Sequence, residues 1–374
     1  MAPTPQTMNP VQQNAQAEYM LQKTGLYMTK KLQPVTAAAL GGQIRVPLDR
    51  MGIMTGVLLK ITVPVNITAA ATASPFAPYN LVQNITYTDY AGLNRINTSG
   101  YQLHALNSLR GAKMLNNAFD SAFLTKSETG LDTNILSLPT ATGNANITFF
   151  LYVPIAIDPH NDLRGAVLSQ TIYGDHYITI TLPQAFVGAD AYVNPYTAGT
   201  VALQAGANIT VQAYQHYIMP QQGVQNLPTI SLSTIYALEG GTTDSSNIAA
   251  GTDKYINWPN NRAVMSALHI FNNGGAGILN QTDVSEIVLL GNSNTNIREL
   301  TPDVIRNHMR YLLGMDLASG VYYIPSRSQP ITTQLYGNVQ SKFTIATANA
   351  NAYFSSQYES TYLSGTPLPG VIQQ

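Results

Sequence analysis

Four short stretches recur in the same order in the two halves of this 374-residue chain, and such a repeat narrows the possible folds more than any single motif. The run VQNITYTDYAGLNRINTSGYQLHALNSLRG from Val82 aligns with VSEIVLLGNSNTNIRELTPDVIRNHMRYLLG from Val284, placing Ile85 on Ile287, Arg95 on Arg298 and Thr98 on Thr301. Each copy therefore reads strand, polar turn, arginine, threonine cap, helix. Upstream, Met54 of IMTGVLLKI falls on Met265 of VMSALHIFN. Downstream, Tyr152-Val153-Pro154 falls on Tyr323-Ile324-Pro325, and IYGD from Ile172 on LYGN from Leu335. The spacing between partners shrinks from 211 to 163 positions along the chain, so the first copy carries the longer loops, chiefly around Met114 to Asn146. Two copies this far apart are duplicated domains rather than turns of a solenoid. The length also exceeds what one hydrophobic core usually serves.

Within each copy the signals are mostly those of strands. VLLKITVPVNIT from Val57, NITYTDY from Asn84, NITFFLYV from Asn146, HYITITL from His176 and NITVQAYQHYI from Asn208 are rich in β-branched and aromatic residues. Several alternate with period two, and Gly-, Pro-, Asn- or Ala-rich turns separate them. Helical signals are few. One short helix is expected near the N-terminus, over about Pro10 to Thr24, capped by Asn9 and ended by Gly25. A second starts at Thr98, and a third at Thr301 with Pro302 in its first turn and Val304, Ile305, His308, Leu312 and Leu313 as an apolar stripe. About eight strands and one internal helix per copy predict an all-β fold of two tandem eight-stranded jelly rolls, plus the N-terminal helix. MPQQGVQNLPTISL, from Met219 to Leu232, is the natural joint. The expected domains are an N-terminal arm over residues 1–45, a first roll over 46–222, and a second roll with a C-terminal tail over 223–374.

Composition excludes several function classes. Charged residues make up only 10% of the chain, against about 25% in a typical soluble domain, so its polar surface comes from Asn, Gln, Ser, Thr and Tyr. Such a surface loses less on desolvation than a charged one, which suits extensive protein–protein contact. The net charge of −1 and the lack of a basic stripe leave no electrostatic footprint for direct nucleic-acid binding. With no cysteine, disulfides, thiolate nucleophiles and Cys-ligated zinc drop out. The longest apolar run, FFLYVPIAI from Phe149, is far short of the roughly 18 residues of a membrane span. MAPTPQTMNPVQQ lacks the regions of a signal peptide, which predicts a soluble chain made inside the cell.

No chemical motif outweighs its structural reading. The histidines, His104, His160, His176, His216, His269 and His308, form no HExxH or HxH pattern and read as structural. DPHND, from Asp158 to Asp162, lacks the bidentate Glu and spacing of a calcium loop and reads as a polar turn. NNGGAG, from Asn272, lacks the P-loop lysine and reads as a hairpin turn. Asn-Ile-Thr at Asn66, Asn84, Asn146 and Asn208 matches a glycosylation sequon but also simply begins strands after an Asn turn. No carboxylate pair or GxSxG motif is set up for catalysis. The expectation is no enzyme, no catalytic residue, no metal and no cofactor.

The stretches PYNLVQNITYTD (from Pro78), TSGYQLHALNSLRGA (from Thr98), YVPIAID with LRGAVL (from Tyr152), ISLSTIYALE (from Ile230), HIFNNGG (from His269) and GVYYIPSRSQPITTQLYGNV (from Gly320) cover much of the chain in order. Together they resemble the double jelly-roll major capsid proteins of tectiviruses, tailless icosahedral phages with an internal membrane. Residues 1 to 45, Met114 to Asn146 and Pro183 to Gly206 depart from the resemblance. It implies a virion shell protein, made in the host cytoplasm. Homotrimers of six rolls would form pseudo-hexagonal capsomers that tile the facets of the icosahedral capsid. The implied partners are other copies of the chain, a vertex (penton) protein, minor or cementing proteins, and the internal viral membrane. The resemblance puts the N-terminal helix on the inner face, where Lys23, Lys30 and Lys31 are membrane-proximal candidates for meeting anionic headgroups. A second reading also stands: a lectin-like or spike protein of two jelly rolls that binds carbohydrate. A shell protein forms trimers and then particles, whereas a lectin stays a small oligomer with a saturable ligand.

Overall fold

The computed structural model describes residues 19, 21, 25–114, 138–169, 174–219, 234–274, 281–292, 295–313 and 320–362. The first half supplies β1 (Leu26–Lys31), β2 (Val35–Ala37), β3 (Gln43–Pro47), β4 (Ile53–Ala73), β5 (Asn84–Thr88), β6 (Asn94–Thr98), helix α1 (Gly100–Met114), β7 (Gly143–Pro154), β8 (Val167–Leu168), β9 (Tyr177–Thr181), β10 (Tyr196–Leu203) and β11 (Ile209–Met219). The second supplies β12 (Tyr236–Asp244), β13 (Asp253–Asn257), β14 (Arg262–Asn272), β15 (Val284–Leu290), β16 (Asn296–Leu300), helix α2 (Pro302–Leu313), β17 (Val321–Pro325), β18 (Ile331–Thr332), the short helix α3 (Thr333–Tyr336), β19 (Gln340–Ile345) and β20 (Tyr353–Tyr362).

In the first half, β4 pairs β11 and, beyond it, β10 on one side and β7 on the other, while β1 and β2 line the outer edge of β11. The facing sheet runs β6-β5-β9-β3. Alternation drives the packing: β3 and β9 bury every second residue, and Val57, Leu59, Ile61, Val63 and Val65 of β4 are fully buried between the sheets. The second half repeats this arrangement, with β12-β20-β14-β17 opposite β13-β19-β15-β16. Strand for strand, β1 and β2 correspond to β12, and β3, β4, β5, β6, β7, β8, β9 and β11 to β13, β14, β15, β16, β17, β18, β19 and β20. Each α-helix of the pair α1 and α2 follows its β6 or β16 strand. Of the described strands, only β10 has no counterpart. The fold is the expected double jelly roll.

The ladders refine the repeat by one residue in three places. Gly56 pairs Pro154 and Ser266 pairs Pro325, so Ser266 is the counterpart of Gly56 and Val264, not Met265, that of Met54. Ile85 pairs Thr98 whereas Ile287 pairs Leu300, so Arg298 corresponds to Ile96 and not to Arg95. Both ladders carry a bulge at this same place, which skips Arg95 in one and Ile297 in the other. The caps obey the same shift. Ser99 Oγ accepts the Gln102 N–H at 3.2 Å, and Thr301 Oγ1 accepts the Val304 N–H at 3.4 Å, so Ser99 rather than Thr98 matches Thr301.

The arm expected over residues 1–45 ends earlier than that. β1, β2 and the start of β3 already belong to the first roll, and Leu32 and Ile44 are buried in its core. The core therefore needs residues that the repeat comparison left outside it. The N-terminal helix lies outside the described residues except for Tyr19 and Leu21, both helical. Leu21 is buried against Ile53, Ala156, Leu163, Ala166 and Ile218, and its carbonyl accepts the Gly25 N–H at 2.7 Å. The first roll's extra length is also not all loop: β4 has 21 residues against 11 in β14, and β7 has 12 against 5 in β17. Of the expected loop, 115–137 lies outside the described residues.

Candidate assembly surfaces

The two rolls are joined edge to edge. β6 of the first pairs in parallel with β12 of the second, Leu238 opposite Ile96 and Glu239 opposite Asn97, so one sheet runs through both. Behind this seam, α1 lies on the outer face of the second roll's sheet. β20 alternates Phe354, Ser356 and Tyr358 toward its own core with Tyr353, Ser355, Gln357 and Glu359 outward, yet all of these are buried. Of the outward set, Tyr353 and Ser355 meet polar groups of the first roll, while Glu359 is bound within the second. Gln102 Nε2 donates to Ser355 Oγ at 2.8 Å, Tyr192 Oη lies 3.1 Å from the same oxygen, and Tyr353 Oη donates to Asp190 Oδ2 at 3.0 Å. Buried, satisfied hydrogen bonds of this kind fix one relative orientation of the rolls. Gly165 permits the approach: its φ is +88°, and a Cβ there would lie 2.4 Å from the Cβ of Tyr236 in β12.

The corresponding surfaces at the other ends of the rolls lie open. All six residues of β1 are exposed, Leu26 by 52%, and β1 is an edge strand. β16 is likewise an edge, and on α2 the residues Asp303, Val304, Asn307, His308 and Tyr311 are exposed, Tyr311 by 87%. A bare, partly apolar edge strand is a ready template for pairing with another chain. Sequence reading missed β1 because LYMTKK, flanked by polar turns, shows no alternation; its cue was the Leu-Tyr-Met run.

Of the three lysines singled out from the sequence, Lys23 lies outside the described residues, while Lys30 and Lys31 stand on β1 opposite Gln215 and Tyr214. Lys30 Nζ pairs with Asp49 Oδ2 at 2.6 Å, and the hydrogen bond it donates to Asp49 raises its pKa above the usual lysine value. Three histidines are buried: burial lowers the pKa of His104 and of His269 to about 3, and lowers that of His176 as well. His104 stacks on Tyr79 with ring centroids 3.5 Å apart, and its Nε2 has no hydrogen-bond partner. His269 Nδ1 lies 2.8 Å from Ser356 Oγ and Nε2 3.1 Å from Ser341 Oγ, while Ser341 accepts the Trp258 indole N–H at 2.7 Å. DPHND is a tight turn closed by Asp158 and Asp162, with Asp162 paired to Arg164. Among the described residues no three His, Asp or Glu side chains gather as metal ligands. Of NNGGAG, Asn272 to Gly274 are described, Asn272 ending β14, and the rest lies outside the described residues. A cleft of about 680 Å³ opens beside the roll–roll seam, but its charged pair is satisfied internally, Arg262 Nη2 donating to Glu239 Oε1 at 2.9 Å.

Polar, desolvatable surfaces and bare strand edges are what a subunit of a larger assembly presents, and comparison with known proteins agrees. The model of the P3 major capsid protein N-terminal domain matches residues 7–219, and that of the C-terminal domain residues 233–368. The chain belongs to the P3 major capsid protein family. It is 29% identical over 326 residues to the major capsid protein P3 of Enterobacteria phage PRD1, covering 83% of this chain and 80% of that one. Two solved structures share the fold. A chain of Sulfolobus Turreted Icosahedral Virus superposes with a TM-score of 0.66 at 13% identity, over 92% of this chain and 95% of its own. The major capsid protein P2 of bacteriophage PM2 superposes with a TM-score of 0.54 at 9% identity, over 91% and 100%. Members of the P3 family are structural capsid proteins of the virion shell, and this chain is one of them. The lectin-like alternative gives way to that family membership.

Proposed function

We propose that the chain assembles as a homotrimer, a pseudo-hexagonal block of six rolls, and that such blocks tile the facets of an icosahedral shell around an internal membrane while a different protein fills the vertices. One observation carries the reading: two rolls of matching topology are already joined in one chain by an edge-to-edge seam, while a matching pair of edges is left open. Head-to-tail repetition of such a contact makes a ring when the rotation from one unit to the next closes. The charge content of 10% supports large contact areas between such units. Native mass measurement of the full chain at micromolar concentration is expected to give the trimer; a monomer of 40.3 kDa throughout that range would overturn it.

The domain division belongs to the same proposal: a joint near residues 220–233, with the first roll extended back to β1. On the inner face, Lys23 and Lys31 would attract anionic lipid headgroups, more strongly at low ionic strength, while Lys30 is held by Asp49. Because β1 belongs to the roll, the informative truncation removes residues 1–18 only. That chain is expected to form trimers but not membrane-enclosing shells. Membrane-containing particles at normal yield would count against an inner-face role.

A further inference from the structure

We propose that the segment after β20, from Leu363 to Gly370, docks in the cleft beside the internal seam of its own chain and clamps the two rolls together. The cleft of about 680 Å³ has walls from both rolls. On the first-roll side stand Leu93, Asn94 and Asn97, at the start of β6 and the turn before it. On the second-roll side stand three rings, Trp258, Tyr358 and Tyr362, the first two with centroids 5.8 Å apart. The polar atoms of two of these rings are already bonded: the Trp258 indole N–H donates to Ser341 Oγ at 2.7 Å and the Tyr358 hydroxyl to the Asn257 carbonyl at 3.1 Å. What those rings have left to offer a ligand is apolar surface.

β20 ends at Tyr362, so whatever follows it is tethered at the cleft itself. Beyond Tyr362, outside the described residues, the sequence reads LSGTPLPG. Ser364-Gly365 is turn chemistry, suited to sending the chain back along the cleft. In Thr366-Pro367-Leu368-Pro369 each proline fixes its own φ and holds the residue before it extended, so these four residues favour polyproline II on local chemistry alone. A preformed extended stretch loses little entropy on docking, and aromatic-lined grooves are what receive it. The tether adds an effective concentration of about millimolar.

Segment and cleft also agree in charge and in hydrogen bonding. Residues 363–370 carry no charged side chain, and the two charged residues of the cleft neutralise each other, Arg262 Nη2 donating to Glu239 Oε1 at 2.9 Å. A polyproline II backbone leaves its carbonyls unbonded and so needs donors. Asn94 and Asn97 are exposed and carry side-chain amides, and Arg262 Nε is a buried donor with no partner among the described residues. Because the amides belong to the first roll and the rings to the second, a segment seated between them spans the seam. The proposal concerns the single chain and holds whether or not trimers form.

Trp258 is the chain's single tryptophan, so its fluorescence reports on this cleft. Deleting residues 363–374 is expected to change its emission, and a synthetic peptide of that sequence to reverse the change saturably. The peptide with Pro367→Gly and Pro369→Gly is expected to bind at least tenfold more weakly, because it loses the preformed conformation. The full chain carrying the same two replacements should show the emission of the truncated one, which guards against a truncation that fails to fold. Emission unchanged in both variants, with no response to peptide, overturns the docking. The absence of cysteine allows a check on whose cleft is filled. On mild oxidation, Asn97→Cys with Leu368→Cys is expected to give an internally linked single chain that runs faster on a non-reducing denaturing gel. Chains linked to one another would put the segment in a neighbour's cleft and overturn the own-chain assignment; chains with no link overturn the docking itself.

Discussion

The first roll buries its internal helix on all sides, whereas the second leaves one face of its helix open, although both helices sit at the same place in the same topology. The outer faces of β20 and β11 differ in the complementary sense: polar and fully buried in one, polar and half-buried in the other. The lesson is that a jelly roll needs only its inter-sheet layer, and what its outer faces carry is set by neighbours. Serine, glutamine and tyrosine on those faces can be exposed or desolvated at modest cost, provided that each finds a partner on burial, as Gln102 and Ser355 do. Duplication then lets one copy supply the neighbour of the other.

The sharpest way to break this comparison is at the arginines that sequence alignment equates. Arg95 Nε donates to Asp89 Oδ2 at 2.6 Å with both side chains nearly inaccessible, and Nη1 donates to the Gly165 carbonyl at 3.2 Å beside the seam. Removing it strands a buried carboxylate, so Arg95→Ala is expected to cost about 3–5 kcal/mol in urea unfolding at fixed protein concentration. Arg298 is partly exposed and makes one bond, to the Pro325 carbonyl at 3.1 Å, so Arg298→Ala is expected to cost about 1 kcal/mol or less. Equal costs would mean that the ladder-based shift is wrong.

A second contrast lies at one position of the central strands. In the second roll it is Glu359, fully buried, bound by Arg327 through both oxygens and by Ser266 Oγ at 2.8 Å. Burial opposes the guanidinium charge, but Glu359 outweighs it and holds the Arg327 pKa above its usual value. In the first roll the same position is His216, whose Nδ1 lies 3.0 Å from the Thr29 hydroxyl. Arg327→Ala is expected to cost about 3 kcal/mol, at the low end for a broken buried pair because Ser266 and Tyr236 still donate to Glu359. Thr29→Ala should cost about 1 kcal/mol or less. Thermal unfolding of the two variants side by side reads the difference.

The rolls share one acid-sensitive feature. Each holds a buried neutral histidine, His104 or His269, with a pKa near 3 against an ordinary value of 6.5, and the first roll also buries His176, whose pKa burial lowers. The unfolded chain takes up a proton on each below about pH 6.5 that the folded chain refuses until about pH 3. The stability each contributes is therefore complete above the unfolded pKa and is lost as pH falls through that window, with a slope of up to about 1.4 kcal/mol per pH unit for each histidine. In urea titrations between pH 6 and 4, His104→Leu should flatten the slope by about one proton. His269→Leu should flatten it equally but at greater cost at neutral pH, because Ser356 and Ser341 lose a partner. An unchanged slope in either variant would show that histidine to be charged or accessible in the fold.

How much of this was legible in the sequence depends on which face of a strand carries the information. Ile85 and Ile287, or the Tyr-x-Pro runs of β7 and β17, lie on inter-sheet faces and ladder ends that both copies must keep, so the duplication and the jelly roll could be read directly. Arg95 and Arg298 misled by one residue because both ladders carry the same bulge, and the arginine stands on its skipped residue in one copy and on the next residue in the other. β1 was invisible for the opposite reason: with all six residues exposed in the single chain, it has no inward alternation to betray it. The seam residues Gln102, Asp190, Tyr192 and Ser355 carry no motif at all, since any short polar side chain at those places would look the same in sequence.

The smallest expected effect concerns the height of the first roll. β4, β7 and β10 run on past the point where β14 and β17 stop, so this end stands above the inter-sheet core as a paired extension rather than as loose loop. Thr142 and Gly143 lie at its rim: both are exposed, Gly143 has φ +133° with nothing near its missing Cβ, and the chain there has only just entered the ladder, Gly143 opposite Ile67. An insertion at a rim exposes no core and breaks no buried bond, and the entropy of lengthening an open turn grows only slowly with its length. A ten-residue Gly/Ser segment placed between Thr142 and Gly143 is therefore expected to change unfolding free energy by no more than about 0.5 kcal/mol and to leave trimers intact. The same insertion between Val57 and Leu58, in the part of β4 that lies over the core and pairs with both β7 and β11, should abolish soluble protein. If the rim insertion also destroys the trimer, the extension takes part in assembly, and the difference in height between the rolls is an interface rather than ornament on one of them.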